Sequence, residues 1–415
     1  MIQHKRVSMV GLGYIGLPTA ALIASRGCEV LGVDVNPSIV ATLNAGKIHI
    51  VEAELDVLLS GAVASGRFRA SLEPEAADVF MVAVPTPFKD DHQADLGCIE
   101  AAAKKIAAVL KKGDLVILES TSPVGTTEKL EQWLSALRPD LSFPGSAGEG
   151  SDIRLAYCPE RVLPGRIIHE LVSNDRIIGG RTARCAEEAA AFYRLFVEGN
   201  CLTTSARTAE MVKLTENAFR DVNIAFANEL SLICERQGID VWELIELANC
   251  HPRVNILQPG PGVGGHCIAV DPWFIVEQTP DLARLIHTAR LVNDAKPRWV
   301  IDQVKAAASK RSNPRVACLG LSFKPDIDDL RESPSLEIVA HLAHETDAFI
   351  YAVEPHIEVL PSALSKYRNV ELMQAEDAID NADIVLLLVN HKAFLTIDRI
   401  LLEDKVVIDT RGVWR

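Results

Sequence analysis

No stretch of these 415 residues stays apolar over the roughly 20 positions that a membrane-crossing helix needs. The first residues also lack the apolar core, about 7–15 residues long, of a secretory signal, so the expected location is cytoplasmic. Basic residues are outnumbered, with 42 Lys and Arg against 56 Asp and Glu, and the net charge of −14 disfavours nucleic acid and anionic membranes as partners. An anionic ligand then needs a local basic pocket set against the global field. The nine cysteines are odd in number and include neither a C-x-x-C pair nor the Cys/His spacing of a zinc site. This excludes a disulfide framework, predicts no metal, and fits a reducing compartment. What remains is 48% hydrophobic and 24% charged, enough to build two or three soluble compact units.

The N-terminal segment carries the first positive signal. The apolar run Val7–Val10 leads into Gly11, Gly13 and Gly16, spaced G-x-G-x-x-G, and helical composition follows from Thr19 to Ser25. A second apolar run, Glu29–Val33, ends on Asp34. Strand, glycines, helix, strand and terminal acid in this order predict a dinucleotide site. Free N–H groups at the helix start suit a pyrophosphate. A carboxylate at Asp34 accepts from a ribose 2′-OH and repels a 2′-phosphate, which favours NAD over NADP.

The second signal is Pro259-Gly260-Pro261-Gly262-Val263-Gly264-Gly265-His266-Cys267-Ile268-Ala269-Val270-Asp271-Pro272. Glycines let the backbone pass close to a ligand and prolines stiffen the flanks, so the loop presents a thiol where something must fit. A buried cysteine in a Gly-rich turn is the alternative. Upstream, Ala206–Gln237 contains no glycine or proline and predicts one long helix. Lys213, Asn217 and Arg220 share one of its faces. Their neighbours Ala218, Phe219, Ile224, Ala225, Phe226 and Ala227 are apolar, which predicts a helix buried on most sides or used as a dimer interface.

Strand-like runs at 79–84, 115–119, 154–157 and 176–179 alternate with helical stretches at 100–111 and 185–196, and 141–151 reads as a loop. The alternation resumes after Asp294, with strands at 315–321, 348–353 and 406–409. Glu354-Pro355 echoes Asp34 and Pro37, and 382–385 echoes 77–80. The C-terminal part thus repeats the nucleotide-binding plan without its glycines, offering Lys324 and Arg331 instead. The fold class is α/β: two Rossmann-like, doubly wound parallel sheets joined by a central long-helix region. The expected domains are 1–205, 206–300 and 301–415.

These motifs, taken together, resemble the nucleoside-diphosphate-sugar 6-dehydrogenases of the UDP-glucose/GDP-mannose dehydrogenase family over nearly the whole chain. The resemblance rests on Gly-x-Gly-Tyr-x-Gly-Leu-Pro, Val84-Pro85-Thr86-Pro87 and Glu119-Ser120-Thr121-Ser122-Pro123-Val124-Gly125-Thr126. It continues through Tyr157-Cys158-Pro159-Glu160-Arg161, Lys213-Leu214-Thr215-Glu216-Asn217, the cysteine loop, Phe323-Lys324-Pro325 and Asp329-Leu330-Arg331-Glu332-Ser333-Pro334.

The resemblance implies that C6 of a UDP-linked sugar is oxidised twice, with two NAD, through a thiohemiacetal and a thioester on Cys267. Lys213 is then the acid/base or oxyanion partner, and Asn217 donates to the same oxygen. Glu160 and Asp271 are candidates for orienting or deprotonating the hydrolytic water, or either only anchors the loop. Cofactor contacts implied are Tyr14 and Ile15 by backbone, Asp34, Thr86, Thr121, Thr127 and Arg331. Substrate contacts implied are Arg161, Val162, Lys213, Asn217, Arg220, His251, Arg253, Gly264 and Lys324. Arg253 is expected to serve a neighbouring subunit, which makes a homodimer part of the site.

Glucose members of the family usually carry Pro-Lys where this chain has Ala269-Val270, and an acid where it has Pro164. Both departures move the expectation to an N-acetylhexosamine. The likeness favours UDP-N-acetyl-D-mannosamine, oxidised for a bacterial surface polysaccharide, with the gluco epimer or glucose as alternatives. Two other classes stand against this reading. A Cys–His hydrolase would pair Cys267 with His266, but adjacent side chains diverge. A non-catalytic NAD-binding redox sensor would need a resolving cysteine, and the sequence marks none.

Overall fold

A computed structural model describes residues 5–89, 92–163, 165–265 and 267–415; Pro164 and His266 lie outside the described residues. Two compact units emerge, Met1–Thr215 and Glu216–Arg415, divided within one continuous helix, Ala206–Gln237. At 32 residues this helix is about 48 Å long. Among the described residues, no helix is long and apolar enough to cross a membrane.

The first unit is built on eight strands: β1 (Arg6–Val10), β2 (Glu29–Val33), β3 (Phe68–Ser71), β4 (Val79–Val82), β5 (Leu115–Leu118), β6 (Arg154–Tyr157), β7 (Arg176–Gly180) and β8 (Cys201–Ser205). Their order is β3-β2-β1-β4-β5-β6-β7-β8. The chain runs from β1 towards one edge, then returns to place β4 on β1's other side. That reversal makes a crevice at the carboxyl end of β1, the usual ligand position in open α/β sheets. Strands β4, β5 and β6 are buried at every residue, hence the unbroken apolar sequence of β4 and β5; β6 buries Arg154 as well. The doubly wound parallel sheet carries one antiparallel pair, β6 with β7, at Ala156–Gly180 and Tyr157–Gly179. The expected loop at 141–151 is corrected, since it contains the helical turns Pro144–Ala147 and Gly148–Gly150.

The second unit holds five parallel strands: β9 (Arg315–Leu319), β10 (Phe349–Val353), β11 (Val370–Leu372), β12 (Ile384–Leu387) and β13 (Val406–Asp409). Their order, β11-β10-β9-β12-β13, repeats the plan of the first unit around a central first strand. The echo extends to single atoms. Gly11 donates its N–H to Val33 O at 2.8 Å, and Gly320 donates to Val353 O at 2.8 Å. Both glycines are left-handed, with φ of 93° and 95°. The long helix is less enclosed than its apolar neighbours suggested. Phe219 is 68% exposed, Phe226 52% and Ile233 44%, a stripe at seven-residue spacing.

Candidate active site

In the first unit the glycines are sterically dictated. A Cβ at Gly11 would lie 2.4 Å from Ala83 O, and one at Gly16 only 1.9 Å from Gly11 O. Gly13, by contrast, faces open space, which leaves room for a ligand's backbone-close approach. The helix Gly16–Ser25 that follows has no side-chain cap and no acid in its first turn, so no fixed negative charge there opposes an anion, although Leu17 N and Thr19 N already donate to Gly13 O and Ile15 O at 3.1 Å. Tyr14 and Ile15 sit at this turn, Tyr14 exposed. Asp34 stands at the end of β2. Its Oδ2 accepts from Leu12 N at 3.1 Å and its Oδ1 from Asn36 N at 2.9 Å. The carboxylate therefore clamps the glycine turn. These residues fit NAD.

Thr86 and Thr121, both half-buried, meet through a hydrogen bond from Thr86 Oγ1 to Thr121 O at 2.5 Å. Thr127 is differently placed. It is fully buried, and its N–H and Oγ1 donate to Glu210 Oε1 at 2.8 and 2.7 Å. Glu210 Oε2 also accepts from Gly125 N at 2.6 Å. This carboxylate thus caps a helix, Thr126–Leu137, whose own Gly125 has no side chain to do so. Sequence reasoning missed Glu210, because nothing in a glycine-free helix marks one inward acid.

A buried polar cluster lies under the Tyr157–Arg161 motif. Lys213 Nζ donates to Glu160 O at 2.8 Å. Glu160 Oε1 is out of reach of solvent and has no hydrogen-bond partner. Burial pushes the Glu160 carboxyl up to about 7, against the pull of the Lys213 and Arg176 charges. Tyr193 donates to Glu119 Oε1 at 2.6 Å, and burial raises the Glu119 carboxyl too. Cys158, in the same cluster, is pushed up to about 12 by burial and stays a thiol. Arg161 and Val162 follow, half-buried, with Arg161 Nη1 donating to Asp175 O at 3.2 Å.

The second unit holds the cysteine loop. Cys267 is exposed, and its carbonyl accepts from Asp271 N at 2.8 Å. Asp271 opens the helix Asp271–Gln278, is buried, and takes a 2.5 Å hydrogen bond from Asn217 Nδ2. Asn217, Asp271 and Cys267 therefore form one connected group, with Asp271 in the anchoring position. Gly264 and Gly265 are compelled by their neighbours. A Cβ on Gly264 would lie 2.4 Å from Glu332 O, and one on Gly265, at φ 82°, 2.9 Å from the Phe323 ring. Gly265 N also donates to Glu332 O at 3.2 Å. Two distant sequence motifs are thereby pressed onto the thiol loop.

Half-buried Lys324 has its Nζ 5.9 Å from the centre of the Phe323 ring. Its loop is held by Ser322 Oγ, which donates to Lys324 O at 2.8 Å, and by Asp326 N, which donates to His391 Nδ1 at 2.9 Å. His391 is fully buried, and its Nε2 lies 3.1 Å from Glu354 Oε2. Glu354 accepts from Leu321 N and Ser322 N at 2.8 and 3.0 Å, doing for this turn what Asp34 does for the first. Arg331 is exposed, and its Nε and Nη2 grip Asp329 at 2.8 and 2.6 Å. Arg220, His251 and Arg253 are all exposed, with Arg253 N donating to His251 Nδ1 at 3.3 Å. Donor atoms of Asp326, His356 and His391 lie within 4.8 Å of one another, but His391 has both ring nitrogens committed as described.

A nucleotide crevice, a repeated nucleotide-type sheet and an exposed thiol loop define a dehydrogenase of the nucleotide-sugar class, and the chain belongs to the UDP-glucose/GDP-mannose dehydrogenase family. Residues 5–197 match that family's NAD binding domain, 207–295 its central domain and 317–415 its UDP binding domain. It is an NAD-dependent UDP-sugar 6-dehydrogenase. The NDP-N-acetyl-D-galactosaminuronic acid dehydrogenase of Ralstonia nicotianae is 63% identical, over 100% of this chain and 97% of its own. The UDP-N-acetyl-D-mannosamine dehydrogenase of Yersinia pestis is 60% identical, over 100% of both. Among solved structures, the UDP-D-ManNAc dehydrogenase of Pyrococcus horikoshii superposes with a TM-score of 0.88 at 37% identity, over 99% and 96% of the two chains.

Proposed function

We propose that this protein oxidises UDP-N-acetyl-D-mannosamine at C6 to the uronate, with Cys267 as the covalent nucleophile. The observation that carries the covalent part is the exposed thiol fixed through Asp271 to Asn217 on the long helix. NAD, when bound, supplies the acceptor for each of the two hydrides. Lys213 assists proton removal from the C6 hydroxyl and stabilises the resulting oxyanion with Asn217. The Cys267 thiolate adds to the aldehyde carbon, and the second oxidation leaves a thioester. Water, deprotonated by Glu160 and oriented with Asp271, attacks the acyl carbon and expels the thiolate. Arg161, Val162, Arg220, His251, Gly264 and Lys324 complete the sugar-nucleotide site, and Arg331 contributes to the cofactor. The three-domain division at 1–205, 206–300 and 301–415 follows this assignment, as does a cytoplasmic location.

The manno configuration is supported by the mannosamine relatives alone, and the N-acetylhexosamine class by Ala269-Val270 in place of Pro-Lys. A galacto substrate is the second reading, because the Ralstonia relative at 63% bears that name. Steady NADH formation with UDP-N-acetyl-D-mannosamine, UDP-N-acetyl-D-galactosamine, UDP-N-acetyl-D-glucosamine and UDP-glucose decides between them. A site built to hydrogen-bond an acetamido group leaves its partners bare with glucose, at a cost of about 10⁴ in kcat/KM. Equal turnover of UDP-glucose defeats the N-acetylhexosamine reading.

For the cofactor, Asp34→Ala is expected to raise the KM for NAD and erode its preference over NADP. It also strands Leu12 N in a buried turn, lowering stability by about 1–3 kcal/mol. Kinetics with both cofactors and thermal melts check the two effects separately; wild-type turnover equal with NADP refutes the assignment. For assembly, we infer a homodimer formed through the Phe219–Phe226–Ile233 stripe, with Arg253 serving the partner's pocket. Phe226→Asp should yield monomers by light scattering together with lost activity, and a fully active monomer excludes a shared site.

A further inference from the structure

A second polar structure, outside the reacting groups, runs through the interior of the second unit to the start of the cysteine loop. Arg290 Nη1 donates to Asp221 Oδ1 at 2.5 Å. Asn293 Nδ2 donates to the same Oδ1 at 2.8 Å and to Asp221 O at 3.1 Å. Asn228 Nδ2 donates to Asn293 Oδ1 at 2.9 Å, and Asn228 Oδ1 accepts from Gly260 N at 2.9 Å. Asp221, Asn228 and Asn293 are completely buried and Arg290 is 1% exposed.

The direction of every link is forced. An arginine only donates, so Asp221 Oδ1 is an acceptor whatever happens at Oδ2. Asn293 must then turn its NH₂ towards Asp221 and its oxygen towards Asn228. Asn228 must in turn answer with its own NH₂, leaving only its oxygen for Gly260. Gly260 N–H, which also only donates, closes the chain without conflict. Each amide has a flipped alternative of the same shape, and Arg290–Asp221 removes it twice over. On its other side Gly260 is crowded by Arg411, whose Nη1 would lie 2.5 Å from a Cβ. The loop is pinned again at Gly265 N and at Cys267 O.

We propose that Asp221, Asn293 and Asn228 are positioning residues for the thiol: a one-way hydrogen-bond relay that fixes Gly260 and, through the loop, the place of Cys267. The proposal rests on the reading of Cys267 as the reacting group, but two of its three readouts do not depend on turnover. The readouts are amide hydrogen exchange at Gly260, the pH profile of Cys267 alkylation by iodoacetamide, and kcat with KM for NAD.

In the unaltered protein Gly260 N–H should exchange far more slowly than exposed loop amides. Asn228→Ala and Asn293→Leu should both speed that exchange, shift the alkylation profile and lower kcat about 10- to 100-fold, with KM for NAD unchanged. Because the residues act as one unit, the double variant should be no worse than Asn228→Ala alone. The distinguishing case is Asn293→Leu, because the hydrogen bonds of Asn293 go to Asp221 and Asn228 and not to the loop. If it leaves Gly260 exchange and Cys267 alkylation as in the wild type, or if the two substitutions simply add, there is no relay. Fast exchange at Gly260 in the unaltered protein overturns it without any variant, should Asn293→Leu fail to fold. An absence of NADH formation by the wild type, with the exchange and alkylation results as expected, would instead remove the dehydrogenase mechanism and leave the relay standing.

Discussion

Cys267→Ala is expected to abolish release of the uronate. A thioester needs sulfur at this position, and burial holds Cys158 and Cys318, each pushed up to about 12, out of any substitute role. The first oxidation needs only a base and a positioned C6, so a slow, aldehyde-forming step should survive. Cys267→Ser is the more telling variant. Its hydroxyl can add to the aldehyde, but the product of the second oxidation is an oxygen ester, a poorer acyl donor. A sugar ester should therefore accumulate on the peptide carrying position 267 and be visible by mass spectrometry of the digested enzyme. Uronate formation by Cys267→Ala at near wild-type rate would mean that the loop shapes the pocket and the thiol does no chemistry.

Glu160→Gln should produce the second large effect. With its carboxyl pushed up to about 7, Glu160 changes charge within the working range, which suits a general base. Uronate release should rise as pH increases through about 7, and the Gln variant should lose that limb along with about 10²–10⁴ in rate. Stability gives an independent check. A carboxyl whose folded pKa is raised contributes fully below its ordinary value, and the contribution is lost as pH rises from there through about 7. Above that window the buried charge costs about 3 kcal/mol, which Gln does not carry. The melting temperature of Glu160→Gln, relative to wild type, should therefore climb between pH 5 and 8. A constant difference across that range would show that Glu160 is already ionised throughout.

How much of this could be read from the chain depends on distance along it. Glu29–Val33 and Arg154–Tyr157 have the bounds expected, because a fully or nearly fully buried strand writes its period directly into the sequence. Phe68–Ser71 and Cys201–Ser205 escaped, being short strands at the two edges with mixed exposure. The antiparallel β6–β7 pair escaped for another reason: strand direction depends on the path between strands, and composition is blind to it. At the site, glycines and the thiol were legible because their geometry admits few other residues. Asn217 and Asp271 were named, but their direct contact spans more than fifty positions and no local pattern encodes it. Asp221, Asn228 and Asn293 carry no local signal that sets them apart from other polar residues. Only the fold shows that they face inward and meet.

Finally, the acid at the end of β2 constrains what evolution or design can do with cofactor choice. Since Asp34 holds Leu12 N and Asn36 N, removing its charge and removing its acceptor oxygens are separate operations. An alanine or glycine that opens room for a 2′-phosphate also unties the turn on which any dinucleotide must sit. The workable route to NADP is an asparagine, which keeps one acceptor and drops the repulsive charge, with a new arginine supplied from beyond Asn36. Glu354 imposes a like condition on the C-terminal sheet through Leu321 N and Ser322 N, so retargeting either nucleotide means keeping an acceptor oxygen at the end of that strand.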